Sequence, residues 1–578
     1  MNGSGRFAGY SLQAFQRDLV AGFIVGVVAI PLAMSFAIAS GVKPQYGMYT
    51  TIIAGFLISL LGGSKFQIGG PTGAFVPILL GVVLQYGYEN LLLAGMMAGV
   101  ILILMGIFKL GVLIQFIPKP VTIGFTTGIA VIIFSGQIAN FLGLREMKSH
   151  EDFLSNMKEI GMHLSTTNIY SVITALISLA VLIALPRVYP KIPASLVGLV
   201  ISSLTAALWF SGKVATIGST YGAVPSALPA FTMPHVSMEQ ITMLLPPALV
   251  IAMLGGIESL LSAVVADGMG GTRHRSNKEL IGQGVANIIT PLFGGIPATG
   301  AIARTATNIK SGAASPLSGM IHAGTVLIVL IVFAPFASAI PLSSMAPILM
   351  VVAWNMSERK EFVHLLRTKT SDSVILVITF LLTVFTNLTT AVVVGLLLAV
   401  IVFVKRMRDT TSVTSMVKEG LGCPQINILT LEGPLFFGAA HRIETSIMDS
   451  LRSHHGSLSG DSCFVGQTPR VLLLHMGKVP FLDATGESNL AGIVKHVASS
   501  GGRILISGIQ PQPKAFLQKT GLYERIGQHH FFDHTSGAIV FSMNQLDLNR
   551  CLGCKQQAFH ECSTLATLAS FGDVKSER

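Results

Sequence analysis

The chain has 578 residues, is 51% hydrophobic and only 11% charged, and carries 60 glycines; a soluble protein usually has about 25% charged residues. Between Leu19 and Gly143 the charged residues are only Lys43, Lys65, Glu89, Lys109 and Lys119, which excludes a wholly water-soluble enzyme and points to lipid as the solvent. The formal net charge of +11 is scattered rather than striped on one face, which disfavours nucleic acid as a partner and fits Lys and Arg retained on the cytoplasmic side of a membrane.

Residues 1–18 are polar to mixed, and the first apolar run is too long for a signal-peptide core, so the chain is expected to start in the cytoplasm. Apolar runs follow at 19–40, 47–62, 72–88, 91–109, 119–141, 170–187, 193–210, 243–266, 279–294, 300–311, 317–338, 343–356, 373–387 and 389–405. Most are long enough to cross about 30 Å of hydrocarbon as helices. The runs are continuous rather than alternating, which excludes a porin-like barrel. Three of them, near 47, 72 and 300, are short or opened by Gly and Pro, as expected where half-helices meet inside a transporter. With fourteen crossings, Arg6 and Arg17, the group Arg273, Arg275 and Lys278, and the group Lys405, Arg406 and Arg408 all face the cytoplasm.

Two segments repeat. Pro71-Thr72-Gly73-Ala74 opens the third span, and Pro297-Ala298-Thr299-Gly300-Ala301 opens the tenth, 227 residues later. The same offset carries Glu258 in the eighth span onto Pro31 in the first. Seven spans per half force opposite orientations, hence a seven-plus-seven inverted repeat. Two helices that start inside the membrane and face each other offer unpaired N–H groups and positive dipole ends to an anion.

The charges beside these starts are Glu258 and Arg304, each costing roughly 2.5–3.5 kcal/mol at a bilayer centre. A role in transport is the leading reading, with a Glu–Arg pair that only pins helices as the alternative. Ser262 lies one helical turn after Glu258, on the same face. Asp267, Arg273, Lys278 and Glu279 are expected to be solvated near helix ends.

After about residue 412 the composition becomes soluble. Ile426–Leu431, Arg470–His475 and Arg503–Gly508 read as strands, with helices over Ala439–Arg452 and Thr485–Ala498, giving a small α/β domain at about 420–548. Asp483-Ala484-Thr485-Gly486 follows a strand and opens a helix, where Asp483 is a natural cap. The tail, 549–578, holds Cys551, Cys554, His560 and Cys562. These four could bind zinc, but a lone CxxC is a weak signal and a reduced tail is the simpler reading.

The chain resembles the SulP family of anion permeases, relatives of animal sulfate and chloride/bicarbonate exchangers of the solute carrier 26 type. The resemblance runs from residue 18 to about 545. It rests on Ile30–Val42, Ser64–Phe75, Ile117–Ile129, Asn277–Gly284 and Ala301–Ala306. Leu254–Leu261 looks closest to the bacterial branch that carries four-carbon dicarboxylates such as succinate. The soluble part resembles a STAS domain. The resemblance implies core and gate domains that move in an elevator-like cycle. It places the anion against Thr72, Gly73, Ala74 and Phe75 and against Gly300, Ala301, Ile302 and Arg304. Glu258 and Ser262 then match a coupling-ion site, and Thr485 matches a phosphorylation site of stand-alone STAS proteins. The chain departs from many relatives at Leu32 and Asn387. Sodium-coupled relatives carry Asp and Thr where this chain has Glu258 and Ser262, so protons are favoured over Na+.

The expected protein is therefore an α-helical polytopic membrane transporter with a C-terminal α/β STAS domain. It is expected to be a homodimer in a bacterial inner membrane, moving sulfate or a dicarboxylate by proton symport, with the STAS domain in the cytoplasm and available to a protein partner. Bicarbonate and chloride remain possible cargoes. Rivals are a nucleobase permease of the same fold and a membrane-anchored STAS signalling protein. No Walker loop, triad or cofactor motif is present, so neither an enzyme nor a cofactor is expected.

Overall fold

A computed structural model describes residues 10–547 apart from 112–117, 149, 151, 190–191, 227–228, 235, 387, 417–422, 424 and 454–469, together with residues 551, 558–560 and 562. Asn387 and Cys554 lie outside the described residues. The chain divides into two compact units, Met1–Ala399 and Val400–Arg578.

Each of the fourteen apolar runs is met by a helical segment, from Leu12–Ala39 to Leu388–Asp409. Helices suit lipid because every backbone group is satisfied within the segment. The first helix starts where Ser11 Oγ accepts the Ala14 N–H at 3.2 Å, and it runs through Pro31 without a break. The longest, Met238–Gly270, starts on a reciprocal cap between Ser237 and Gln240 and ends at Gly271 in the left-handed region. The run near 47 is a regular 18-residue helix, Pro44–Leu61, and not an interrupted one. Lys43-Pro44 only begins it, since Pro is tolerated at a first helical position. The interrupted pair is the other two. Gly73–Phe75 is a single 3-10 turn leading into Val76–Tyr86, and Ile302–Lys310 is a nine-residue helix.

Packing within the first unit obeys the inverted repeat. Leu12–Ala39 packs on Leu317–Ala337, and their counterparts Met238–Gly270 and Tyr88–Ile107 pack together. Pro44–Leu61 meets Leu317–Ala337 as Ser276–Ile289 meets Tyr88–Ile107. Lys119–Gly136 meets Ser371–Phe385 as Leu342–Met356 meets Ile169–Val188. The Ser276–Ile289 and Tyr88–Ile107 helices approach backbone to backbone, because a Cβ at Gly99 would lie 2.6 Å from the Gly284 carbonyl oxygen, and one at Gly284 equally close to Gly99. Small residues take the place of a hydrophobic driving force between helices in lipid. The core around the half-helices includes Phe36, Phe75, Leu79, Ile129, Leu254 and Leu349.

Glu279 departs from expectation. It is fully buried rather than solvated and accepts the N–H groups of Gly63 at 2.6 Å and Ser64 at 2.9 Å. The loop after Pro44–Leu61 turns inward here, its backbone donors need an acceptor, and the carboxylate supplies one across 216 residues. Asp18 does the same for the start of Leu317–Ala337, accepting from Ala314 N at 2.6 Å and Ser315 N at 3.0 Å.

In the second unit, Ser412–Ser415 pairs antiparallel with Ile426–Glu432, which continues parallel to Val471–Lys478, Arg503–Ser507 and Phe531–Phe532. The inner strand is apolar on both faces, with Leu472, Leu473 and Leu474 all fully buried, as helix-covered parallel sheets require. Asp483 accepts the Gly486 N–H at 2.8 Å and so caps Ala484–Ser499, while Thr485 is exposed in its first turn. Asp547 and Cys551 return to this sheet. Gln425 bonds the backbone of Asp547 in both directions and reaches Cys551 Sγ at 3.5 Å. Burial pushes the Cys423 thiol up to about 11, which keeps it protonated. Among the described residues, no three His, Cys, Asp or Glu side chains are grouped so as to hold a metal.

Candidate anion site

The two half-helices are joined just before they begin. Gly69 pairs with Gly300 and Gly70 with Thr299, antiparallel, in a ribbon of two residues per strand. Ala301 N extends it by donating to the Ile68 carbonyl at 2.8 Å. The Thr72-Gly73 and Thr299-Gly300 turns are thereby brought together from opposite directions.

Neither start is capped by a side chain. The first N–H groups of a helix lack intrahelical acceptors, so those around Gly73–Ala74 and Ile302–Ala303 are available to a ligand. Thr72, the natural cap of the first turn, is turned away, and its Oγ1 donates to Glu258 Oε2 at 2.9 Å. Ala74 and Phe75 are buried, with Phe75 against Gly255, while Ile302 is exposed at the rim. The polar lining therefore comes from backbone donors, within apolar walls.

Arg304 is buried, and its Nη2 donates to the Pro71 carbonyl. Glu258 and Arg304 form no ion pair with each other. They grip the adjacent residues Thr72 and Pro71 from two sides, so the pinning role falls on the turn and not on a salt bridge. Gly70 permits this, since it has φ +153 and a Cβ there would lie 2.7 Å from Arg304 Nη1. At Gly300 a side chain would collide with the Gln67 amide.

Ser262 shares Glu258's helix but not its partner. Fully buried, it donates to Thr305 Oγ1 at 3.2 Å, and Thr305 Oγ1 also accepts the Ile68 N–H at 3.0 Å. Several positioning residues escaped the sequence reading. Ser259 Oγ meets Thr299 Oγ1 at 2.7 Å and accepts the Gly300 N–H at 3.0 Å. Asn287 pairs with both backbone groups of Ala298, at 2.8 and 2.9 Å. Ser259 adjoins Glu258, and Thr299 sits in the repeated motif, so both were within reach of inspection. Nothing in the local pattern marks Asn287.

An inverted-repeat bundle with two broken helices opposed at its centre defines a membrane carrier of small solutes, and the uncapped backbone donors suit an anion. Residues 15–379 match the sulfate permease family and residues 421–538 the STAS domain. The chain belongs to the sulfate permease family, a family of anion transporters. It is 55% identical over 538 residues to the "Putative sulfate transporter YvdB" of Bacillus subtilis, covering 92% of this chain and 99% of that one. It is 30% identical over 542 residues to the bicarbonate transporter BicA of Picosynechococcus sp., covering 88% and 91% respectively. The solved structure of SLC26A9 shares its fold, with a TM-score of 0.81 at 20% identity over 95% of this chain and 93% of that one.

Proposed function

We propose that the chain is a secondary active transporter of a divalent anion, sulfate or a four-carbon dicarboxylate, driven by protons through Glu258. The observation that carries this reading is the pair of uncapped half-helix starts, with a half-buried carboxylate on Thr72 and a buried guanidinium on Pro71. Backbone donors and Arg304 hold the anion. Glu258, beside them, is neutral in the loaded carrier because a dianion repels a second carboxylate, and this makes anion and proton binding reciprocal. The core moves against the gate to present the site to each side in turn. The protein works as a homodimer in a bacterial inner membrane, with the N-terminus and STAS domain cytoplasmic.

The deciding experiment is uptake of labelled sulfate, succinate and bicarbonate into proteoliposomes, each with and without a proton gradient. Gradient-stimulated uptake of a dianion is expected. The relationship to a bicarbonate transporter gives a second reading, favoured if bicarbonate alone is carried. Strict sodium dependence at constant pH would overturn the proton assignment.

Arg304 supplies a fixed positive charge, and charge-assisted hydrogen bonds are worth about 1.5–3 kcal/mol. Arg304→Ala and Arg304→Ser are therefore expected to weaken dianion binding by about tenfold to a hundredfold, and monoanion binding distinctly less. Competition of each anion against labelled substrate measures this. Equal losses for both would assign Arg304 to holding the Pro71 turn.

The STAS domain regulates or stabilises the carrier, through a cytosolic partner or through Thr485. A chain ending after Arg408 is expected to insert, with lower abundance or activity and unchanged substrate preference, as membrane quantification and uptake would report. Altered selectivity on truncation would refute a purely regulatory role.

A further inference from the structure

Three buried polar side chains lie against the two-stranded ribbon, and two of them have had no role so far. A Cβ at Gly55 would lie 3.3 Å from His322 Cε1, 3.4 Å from His322 Nδ1 and 3.3 Å from the Gly69 carbonyl oxygen. Gln67 lies against Gly300, and Arg304 Nη1 against Gly70. His322 is 0% exposed, Arg304 3% and Gln67 4%. Neither ring nitrogen of His322, neither amide atom of Gln67, and not the Nη1 of Arg304 has a hydrogen-bond partner. The Gly319 carbonyl, three residues before His322, lies beside the ring without meeting hydrogen-bond geometry.

An unmet buried polar group costs about 1–3 kcal/mol, and an ionisable side chain at membrane depth marks a functional position by default. Donors and acceptors on three elements around one ribbon also meet the condition for bound water, which needs two to four polar partners. We propose that His322 takes up a proton when a dianion loads in front of Arg304, with Gln67 and Arg304 Nη1 holding the water that delivers it. The inference rests on the anion-site reading above.

The charge logic is local. His322 borders the Gly69 carbonyl and Arg304 Nη1 borders Gly70, adjacent residues of the ribbon, so the guanidinium's positive charge opposes a second one nearby. A dianion across the half-helix starts offsets that charge, so the ring nitrogen carrying the lone pair gains one proton from water and returns it to water when the anion leaves. No other bond changes. The surrounding ionisable groups do not substitute for it. Leu12–Ala39 carries Arg17 and Asp18, and Asp18 is engaged by Ala314 and Ser315. Pro44–Leu61 carries only Tyr46 and Tyr49. Lys65 lies over the Phe66 ring, Lys310 ends its half-helix, and Glu258 is bonded to Thr72.

The test uses the full chain in lipid, with sulfate and succinate as probes. Nitrogen-15 NMR of labelled imidazoles should show one signal, absent in His322→Gln, that passes from neutral to doubly protonated on adding the bound probe. A His322 signal that stays neutral from pH 5 to 8, with and without probe, overturns the proposal. In binding assays the wild type should bind the dianion more tightly on acidification, by up to about tenfold per pH unit for each of its two linked protons, on Glu258 and on His322. His322→Gln and His322→Asn should keep only the Glu258 share of that dependence, and Gln67→Leu should slow the proton step without abolishing it. Equal weakening at every pH in both His322 variants would make the residue structural and sink the idea. If neither probe binds the wild type, the anion-site reading has failed first, and that outcome is separate from a bound probe with a silent imidazole.

Discussion

Ala301→Leu is expected to abolish anion uptake while leaving the protein inserted and of normal size. Ala301 is the residue from which Ile302–Lys310 departs, and it is buried beside the ribbon. An added isobutyl group there covers the N–H groups that an anion would approach. Losing two such hydrogen bonds to a charged ligand, at about 1.5–3 kcal/mol each, reduces binding by at least about a hundredfold. The packing cost of the larger side chain is about 1–3 kcal/mol, which the rest of the membrane unit should tolerate. Ala74→Leu should act alike on the opposite start. Uptake, membrane yield and gel-filtration profile measured together decide the matter, and normal transport by a well-inserted Ala301→Leu protein would rule out the opposed half-helices as the binding site.

Glu258→Gln is expected to separate exchange from accumulation. The amide oxygen can still accept the Thr72 hydroxyl, so the turn keeps its 2.9 Å bond. The side chain can no longer release or take up a proton. Wild-type uptake should rise toward acidic pH, because protonation removes the carboxylate's repulsion of the dianion. In the variant, counterflow of preloaded anion should persist, while accumulation against a gradient should fall sharply. Concentrative uptake with a pH dependence equal to the wild type's in Glu258→Gln would exclude Glu258 as a coupling group. The two variants are distinguishable, since Ala301→Leu should lose exchange as well.

Much of this architecture is legible from local pattern. A run of apolar residues long enough to span hydrocarbon has one stable backbone solution, so the seven long apolar helices among the described residues follow from the chain itself. The Thr-Gly-Ala repeat locates the broken helices, because Gly after Thr at matching positions of two halves has no packing explanation that requires both. The return of charged residues after about 412 marks the α/β domain. Hydropathy also exposes Glu258 and Arg304 as anomalies, and their cost in lipid gives them a reason to be there.

Only tertiary structure decides whom those residues touch. Proximity in sequence to a helix end made Glu279 look solvated, yet a loop 216 residues away brings it two N–H donors. Opposite charge suggested that Glu258 and Arg304 pair, yet each takes a closer partner on the Pro71-Thr72 turn. Ser262 shares a helical face with Glu258 and still bonds elsewhere, because the Ile302–Lys310 helix presents Thr305 to it. His322 falls in an unbroken apolar run and gives no periodic signal; it becomes conspicuous only when the ribbon and Arg304 are seen beside its unpartnered ring. The physical reason is common to all four. Hydrophobic burial acts on every residue according to its own type and so leaves a local pattern, whereas a hydrogen bond or charge contact depends on geometry set by segments hundreds of residues apart.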